Sequence, residues 1–127
     1  MGMYTELIFG AALKTDTPGR LFGSLQYMMG NEPKPVDFPL HGDRYDGLFI
    51  RSSYLFGVCE PVSRMWFDHI GKNWRLSVRC NIKNYNKEIE QFLDWIKPHI
   101  ESGSGNRNMY AIVTYEQASE PTIYYLE

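Results

Sequence analysis

Cysteine is scarce in this chain, with two among 127 residues. Cys59 and Cys80 are far apart in sequence, and neither belongs to a CxxC pair. This excludes a disulfide framework and the usual cysteine-based zinc sites. We predict that both thiols are reduced and that Cys80 is a small core side chain.

Segments that would target the chain to a membrane are also missing. No apolar run is long enough to span a bilayer. The first residues, MGMYTE, lack the basic stretch and the apolar segment of a secretion signal. The sequence therefore predicts a cytoplasmic protein with no membrane partner.

The sequence carries no catalytic or cofactor signature. The three histidines, His41, His69 and His99, have no metal-ligand spacing between any two of them, so no metal site is predicted. The Gly-Ser-Gly stretch at 103–105 follows a predicted helix and lacks the lysine and hydroxyl pattern of nucleotide-binding loops. We interpret it as a turn in which the neighbouring Arg107 can contact an anion. These absences favour a non-enzymatic protein without a cofactor.

Length and aromatic content indicate a folded domain. A chain of 127 residues fits one domain, residues 1–127, that can bury a substantial core without a metal or a disulfide. Nine tyrosines, seven phenylalanines and three tryptophans supply large apolar areas, and many of them also carry polar groups. This composition argues against disorder.

Alternation along residues 73–83 predicts a strand with one dry face. Trp74, Leu76 and Val78 lie on that face, and Arg75 and Arg79 lie on the other. Apolar residues recur at helical spacing within 18–29 and 87–100. Further strands are predicted at 3–13, 47–56, 63–70, 109–116 and 122–126. The order β-α-β-β-β-α-β-β predicts an α+β two-layer sandwich, with an antiparallel-rich sheet of five or six strands and two helices on one face.

The second face of this sheet is the predicted functional surface. Strand pairing is expected to place Arg51 and Phe49 beside Arg75 and Arg79, with Tyr110 as a further aromatic candidate on the same face. Such a surface can stack a base, clamp a phosphate or an acidic side chain, or bind a second copy of the chain. The alternative is an ordinary solvated face on which Arg and Tyr pair across strands. The predicted partner-binding residues are Arg51, Arg75, Arg79, Phe49, Tyr110 and Arg107.

The segment 31–46 is predicted to be a long loop, because Pro33, Pro35 and Pro39 interrupt regular structure. Long loops in compact domains often carry function, so we expect this one to border the functional surface. The alternative is a passive connector.

Three parts of the chain carry a resemblance to known proteins. The stretches RSSYLFGV at 51–58, NIKNY at 81–85 with FLDWIKP at 92–98, and PTIYYL at 121–126 resemble small proteins of unknown function that bacteriophages and prophages encode. The resemblance implies a bacterial host cytosol and a class of genes in which small non-enzymatic binders that block host defences are common.

Residues and resemblance together predict a small binding module. The leading hypothesis is a phage accessory or anti-defence protein that sequesters a host protein or a small anionic, nucleotide-like ligand. The alternative is a nucleic-acid-binding domain that uses the Arg and aromatic sheet face. That alternative is weaker, because GLFIR at 47–51 matches the usual RNA-binding signature poorly and the net charge is −2. An enzyme ranks third, and a homo-oligomer is a further prediction.

Overall fold

The computed structural model describes residues 3–53, 60–102 and 108–126. In chain order the elements are strand β1 (Thr5–Ala12), helix α1 (Gly19–Met28), strands β2 (Val62–Asp68) and β3 (Asn73–Ile82), helix α2 (Glu88–Ile96), and strands β4 (Met109–Tyr115) and β5 (Thr122–Tyr125). Short 3-10 turns occupy Leu48–Ile50 and Lys97–His99. Pro98 lies in the second of these turns, directly after α2, where it interrupts the α-helical hydrogen bonding.

One sheet organises the described chain. Its five strands lie in the order β2-β3-β1-β4-β5, and each neighbouring pair is antiparallel. The predicted α+β fold with an antiparallel sheet of five or six strands and two helices is therefore confirmed. Strand β1 lies at the centre, and β2 and β5 form the edges.

The core lies on the face of the sheet that α2 covers. Across the β1–β3 pair, Leu7 stands opposite Cys80 and Phe9 opposite Val78, and all four side chains are buried. The Phe92 ring of α2 packs edge-on against Phe9, with 5.4 Å between ring centroids. No helix in the described residues is long and apolar enough to cross a membrane.

The predicted strand at 47–56 is wrong over the residues that the structure describes. Leu48–Ile50 forms a 3-10 turn that begins after Gly47, whose φ of +64° lies in the left-handed region. Both Leu48 and Phe49 are fully buried. A strand on a sheet with one covered face would point these neighbours in opposite directions, whereas a tight turn buries them together. Residues 54–56 of the prediction lie outside the described residues.

Trp74 also departs from its predicted place. It was expected in the core beside Leu76, but 39% of its surface is exposed. It lies near the start of β3, where its ring contacts those of Phe22 and Phe67. Leu76 and Val78 are buried as predicted.

The long loop is fixed to the start of α2 by a buried carboxylate. The Oε2 atom of Glu88, which is 0% exposed, accepts hydrogen bonds from the backbone N–H groups of Asp43 and Arg44, each at 3.1 Å. The Tyr45 hydroxyl donates to the Glu88 carbonyl at 3.1 Å, and burial raises the pKa of that hydroxyl well above its ordinary value. A Cβ atom at position 42 would lie only 2.8 Å from Glu88 Cγ. Glycine has no Cβ atom, so the loop can lie this close to the Glu88 side chain. The loop is therefore anchored to the start of α2, and its place at the border of a functional surface stays a prediction.

Candidate functional site

The open face of the sheet carries two ion pairs. Arg75 Nε lies 3.0 Å from Asp68 Oδ2, and Arg79 Nε lies 3.2 Å from Glu6 Oε2. Hydrogen bonds from the backbone of Gly71 and Ile70, joined by Arg75, hold the pKa of Asp68 below its usual value. The predicted placement of Arg75 and Arg79 on this face is correct, but each has a carboxylate partner. Their role in partner binding stays a prediction.

The two arginines are expected to differ in their effect on stability. Arg79→Ala removes the partner of a Glu6 carboxylate that is nearly buried, so we expect the free energy of unfolding to fall by roughly 1–3 kcal/mol. Arg75→Ala breaks a pair whose Asp68 carboxylate is more exposed than Glu6, 22% against 8%, and keeps a hydrogen bond from the Ile70 N–H. Surface pairs of this kind contribute little. Chemical denaturation of both variants checks this difference. Equal losses would show that the burial of Glu6 is not what decides the cost.

Two aromatic residues predicted for the open face, Phe49 and Tyr110, are not there. Phe49 packs against Phe92 in the core, with 5.0 Å between ring centroids. Tyr110 is also buried, and its ring contacts Phe9. The register of β4 against β5 shifts between Met109 and Ala111, and such a bulge turns a side chain away from strict alternation. Arg107 lies outside the described residues.

A cationic cleft lies where β3 ends and the chain enters the sheet at β1. Its volume is about 450 Å³. Three of its lining side chains are cationic, and the rest are polar or apolar; the described lining residues are Tyr4, Arg44, Ile50, Arg51, Ser52, Asn81, Ile82 and Lys83. We call this set the cationic cleft. Its size falls within the range of small-molecule sites.

Each cation of the cationic cleft is held by a different contact. Arg51 Nε donates to the carbonyl of Asp46 at 3.0 Å, and the Arg51 carbonyl accepts the N–H of Asn81 at 3.1 Å. The Lys83 ammonium lies 5.8 Å from the centre of the Tyr4 ring. The Arg44 backbone is anchored by Glu88, as described above. The Arg44 guanidinium stacks over Tyr85, at 5.0 Å from the ring centre.

No salt bridge neutralises the cations of the cationic cleft within the described part of the chain. There, neither Arg44 nor Arg51 nor Lys83 forms a salt bridge, and none of the eight lining residues is acidic. Arg75 and Arg79 on the open face differ, since each has a carboxylate within 3.2 Å. The cleft therefore presents three positively charged side chains to solvent. Such groupings recognise phosphate or carboxylate groups.

Sequence reasoning found one of these three cations as a site residue. Arg51 was predicted, although on a strand that does not form. Lys83 directly follows the last residue of β3 and continues its alternation. The strand pattern alone therefore places Lys83 on the same face as Arg79. Arg44 belongs to the loop that is predicted to border the functional surface, but no periodicity marks it as a cleft residue, and its contacts with Glu88 and Tyr85 hold it there.

A second cavity of about 350 Å³ brings together Ser24, Asp37 and His99 beside Trp95. These residue types form catalytic triads in other folds. Among the described hydrogen bonds, none joins any two of the three side chains, and Ser24 is buried within α1. The described residues also contain no group of three or more His, Cys, Asp or Glu placed to hold a metal ion. This cavity therefore lacks the geometry of a nucleophile and its base.

Comparisons with protein-family models, curated proteins and solved structures give no significant match. The resemblance to phage and prophage proteins accordingly stays a prediction.

Proposed function

We propose that this protein is a small binding module that captures a phosphate-bearing anion in the cationic cleft. The observation that carries the proposal is the grouping of Arg44, Arg51 and Lys83 around one cavity without a carboxylate among its described lining residues. Two guanidinium groups supply forked donors for phosphate oxygens, and the ammonium adds a compact charge.

The neutral polar residues of the cationic cleft form an ordered wall, in which Asn81 Nδ2 donates to Ser52 Oγ at 3.4 Å, and this supports the same ligand class. Asn81 and Ser52 line the wall between the cations. The Asn81 side chain is already oriented, because its Oδ1 accepts the N–H of Ser53 at 2.7 Å. An oriented polar wall beside fixed cations lowers the cost of ordering side chains when a ligand binds.

The resemblance to phage proteins implies a bacterial host cytosol, where binding of a small anion would sequester it. A phage accessory or anti-defence protein in the bacterial host cytosol would hold a small anion and withdraw it from host use. Capture of a host protein, nucleic-acid binding and self-association remain predictions from the sequence. Of these, nucleic-acid binding is weakened, because Phe49 and Tyr110 are in the core instead of on the open face.

Calorimetric titration with inorganic tripolyphosphate tests the proposal. We expect binding that weakens as salt rises, and a loss of roughly tenfold or more in affinity for Arg51→Ala and for Lys83→Ala. The matched control is Arg75→Ala, which removes an arginine from the open face and leaves the cationic cleft unchanged. The proposal is wrong if wild-type protein does not bind tripolyphosphate, or if the control weakens binding as much as the cleft variants do.

Titration with a single-stranded oligonucleotide tests the alternative function, nucleic-acid binding on the open face. Nucleic acid bound on the open face is expected to depend on Arg64 and Trp66, where the guanidinium stacks 4.8 Å from the indole centre. If Trp66→Ala abolishes oligonucleotide binding while Arg51→Ala has no effect on it, nucleic-acid binding resides on the sheet face. Native mass spectrometry of the purified protein reports its oligomeric state.

A further inference from the structure

A second opening adjoins the cationic cleft at the same end of the sheet. It is a groove of about 490 Å³ between the start of α2 and the β4–β5 hairpin. Two exposed tyrosines, Tyr85 and Tyr115, line it together with Lys87, Glu90 and Glu120. We call it the tyrosine groove.

The strand register places the two openings side by side. Thr5 stands opposite Ile82 on one side and opposite Tyr115 on the other. Ile82 lines the cationic cleft, whereas Thr5 and Tyr115 line the tyrosine groove. The two openings therefore lie at the same end of the sheet. Asn81 and Lys83 of the cleft are on the face of Arg79, and Thr5 and Tyr115 of the groove are on the opposite face.

Tyr85 forms the boundary between the two openings. Its ring lies under the Arg44 guanidinium of the cationic cleft, and the same residue lines the tyrosine groove. Next to it, Lys83 lines the cleft and Asn84 lines the groove. Tyr85 is 59% exposed, so much of its surface is available to a ligand that passes from one opening to the other.

The two openings differ in charge, and this difference sets the orientation of a ligand. The cationic cleft has three cations and no acidic residue among its described lining residues. The tyrosine groove has the carboxylates of Glu90 and Glu120 against Lys87. A phosphate chain is attracted to the first and repelled from the second. Carboxylates accept hydrogen bonds from hydroxyl and amino groups, so the groove suits a neutral portion rich in such donors.

The rings of Tyr85 and Tyr115 and the carboxylate of Glu90 indicate which neutral part of a ligand fits the tyrosine groove. Asn84 Nδ2 donates to Glu90 Oε1 at 2.7 Å, which fixes the carboxylate beside the groove. Tyrosine faces stack on planar heterocycles, and this stacking tolerates any base. From these contacts we infer that the ligand is a nucleotide with two or more phosphates, its phosphates in the cationic cleft and its nucleoside in the tyrosine groove. This inference rests on the proposed anion-binding function.

The experiment compares inorganic tripolyphosphate with adenosine and cytidine triphosphates by calorimetry, without divalent cations. We expect both nucleotides to bind wild-type protein roughly tenfold or more tighter than tripolyphosphate, since stacking of one base contributes that much. Tyr115→Ala is expected to remove most of this advantage. It should leave tripolyphosphate affinity unchanged, because Tyr115 does not line the cationic cleft.

Tyr85→Ala provides a second measurement. Because its ring supports Arg44, we expect it to weaken nucleotide binding more strongly than Tyr115→Ala and to reduce tripolyphosphate affinity as well. Circular dichroism and thermal unfolding establish that each variant is folded, and a variant that fails to fold is replaced by the corresponding Tyr→Leu change.

The outcomes separate the two proposals. If tripolyphosphate and the nucleotides bind equally well, the inference is overturned and the anion-binding function stands. If none of the three binds, both fail. If the nucleotides bind better but Tyr115→Ala and Tyr85→Ala retain the full advantage, the nucleoside lies elsewhere and the inference is again overturned.

Discussion

Replacing Phe92 by alanine is expected to lower the free energy of unfolding by about 3–5 kcal/mol, the range typical of a fully buried phenylalanine. Phe92 is fully buried, and its ring contacts those of Phe9 and Phe49. The substitution would open a cavity where α2, the sheet and the 3-10 turn meet. Urea denaturation followed by circular dichroism measures the change.

A matched control comes from the same helix. Asp94 is exposed on α2, so Asp94→Ala is expected to shift the unfolding free energy by no more than about 0.5 kcal/mol. An unfolding midpoint for Phe92→Ala that matches wild type would remove Phe92 from the core. Since single domains are commonly stable by about 5–15 kcal/mol, the expected loss is a large part of the total.

The second large effect is expected at Glu88. Glu88→Ala leaves three backbone N–H groups, those of Asp43, Arg44 and Asn86, without their carboxylate acceptor. We expect a loss of roughly 3 kcal/mol, because three hydrogen bonds to one charged and fully buried acceptor are lost together. Glu88→Gln should cost less, since one oxygen remains, although its amide group then faces a donor.

Amide hydrogen exchange distinguishes the loss of this tether, the contact of Glu88 with the loop backbone, from a general loss of stability. Protection at Asp43 and Arg44 should fall more than protection in β1 when Glu88 is replaced. Glu101→Gln, an exposed glutamate with no described side-chain hydrogen bond, serves as the control. If stability and exchange in Glu88→Ala equal those of the control, the tether does not hold the loop. Anion binding should also weaken in Glu88→Ala, because the same contact positions Arg44.

The regular elements were predictable because their signals are local. Alternation marked β3, and helical spacing marked α1 and α2 to within a few residues of their observed ends. The segment Leu48–Ile50 was not predictable in this way. A short apolar run flanked by glycine looks the same whether it forms a strand or a turn, and only its packing against Phe92 decides.

The site was less predictable than the fold. Arg51, Arg44 and Lys83 come from a turn, a loop and the end of a strand, and no periodicity links them. Two of the predicted arginines are paired with acids, and one of these, Glu6, lies 73 residues from its partner Arg79. Such pairings depend on strand order, which hydrophobic patterning leaves open.

The central place of β1 has a consequence for how the protein is made. Strand β1 precedes the other strands of the described sheet in the chain and needs partners on both sides, and those partners are residues 73–82 and 109–115. A nascent chain that ends before β4 leaves one edge of β1 unpaired, with Leu7 and Phe9 short of their packing partners. Completion of the sheet therefore waits until β4 and β5 have been synthesised. During that interval, folding competes with chaperone binding and aggregation.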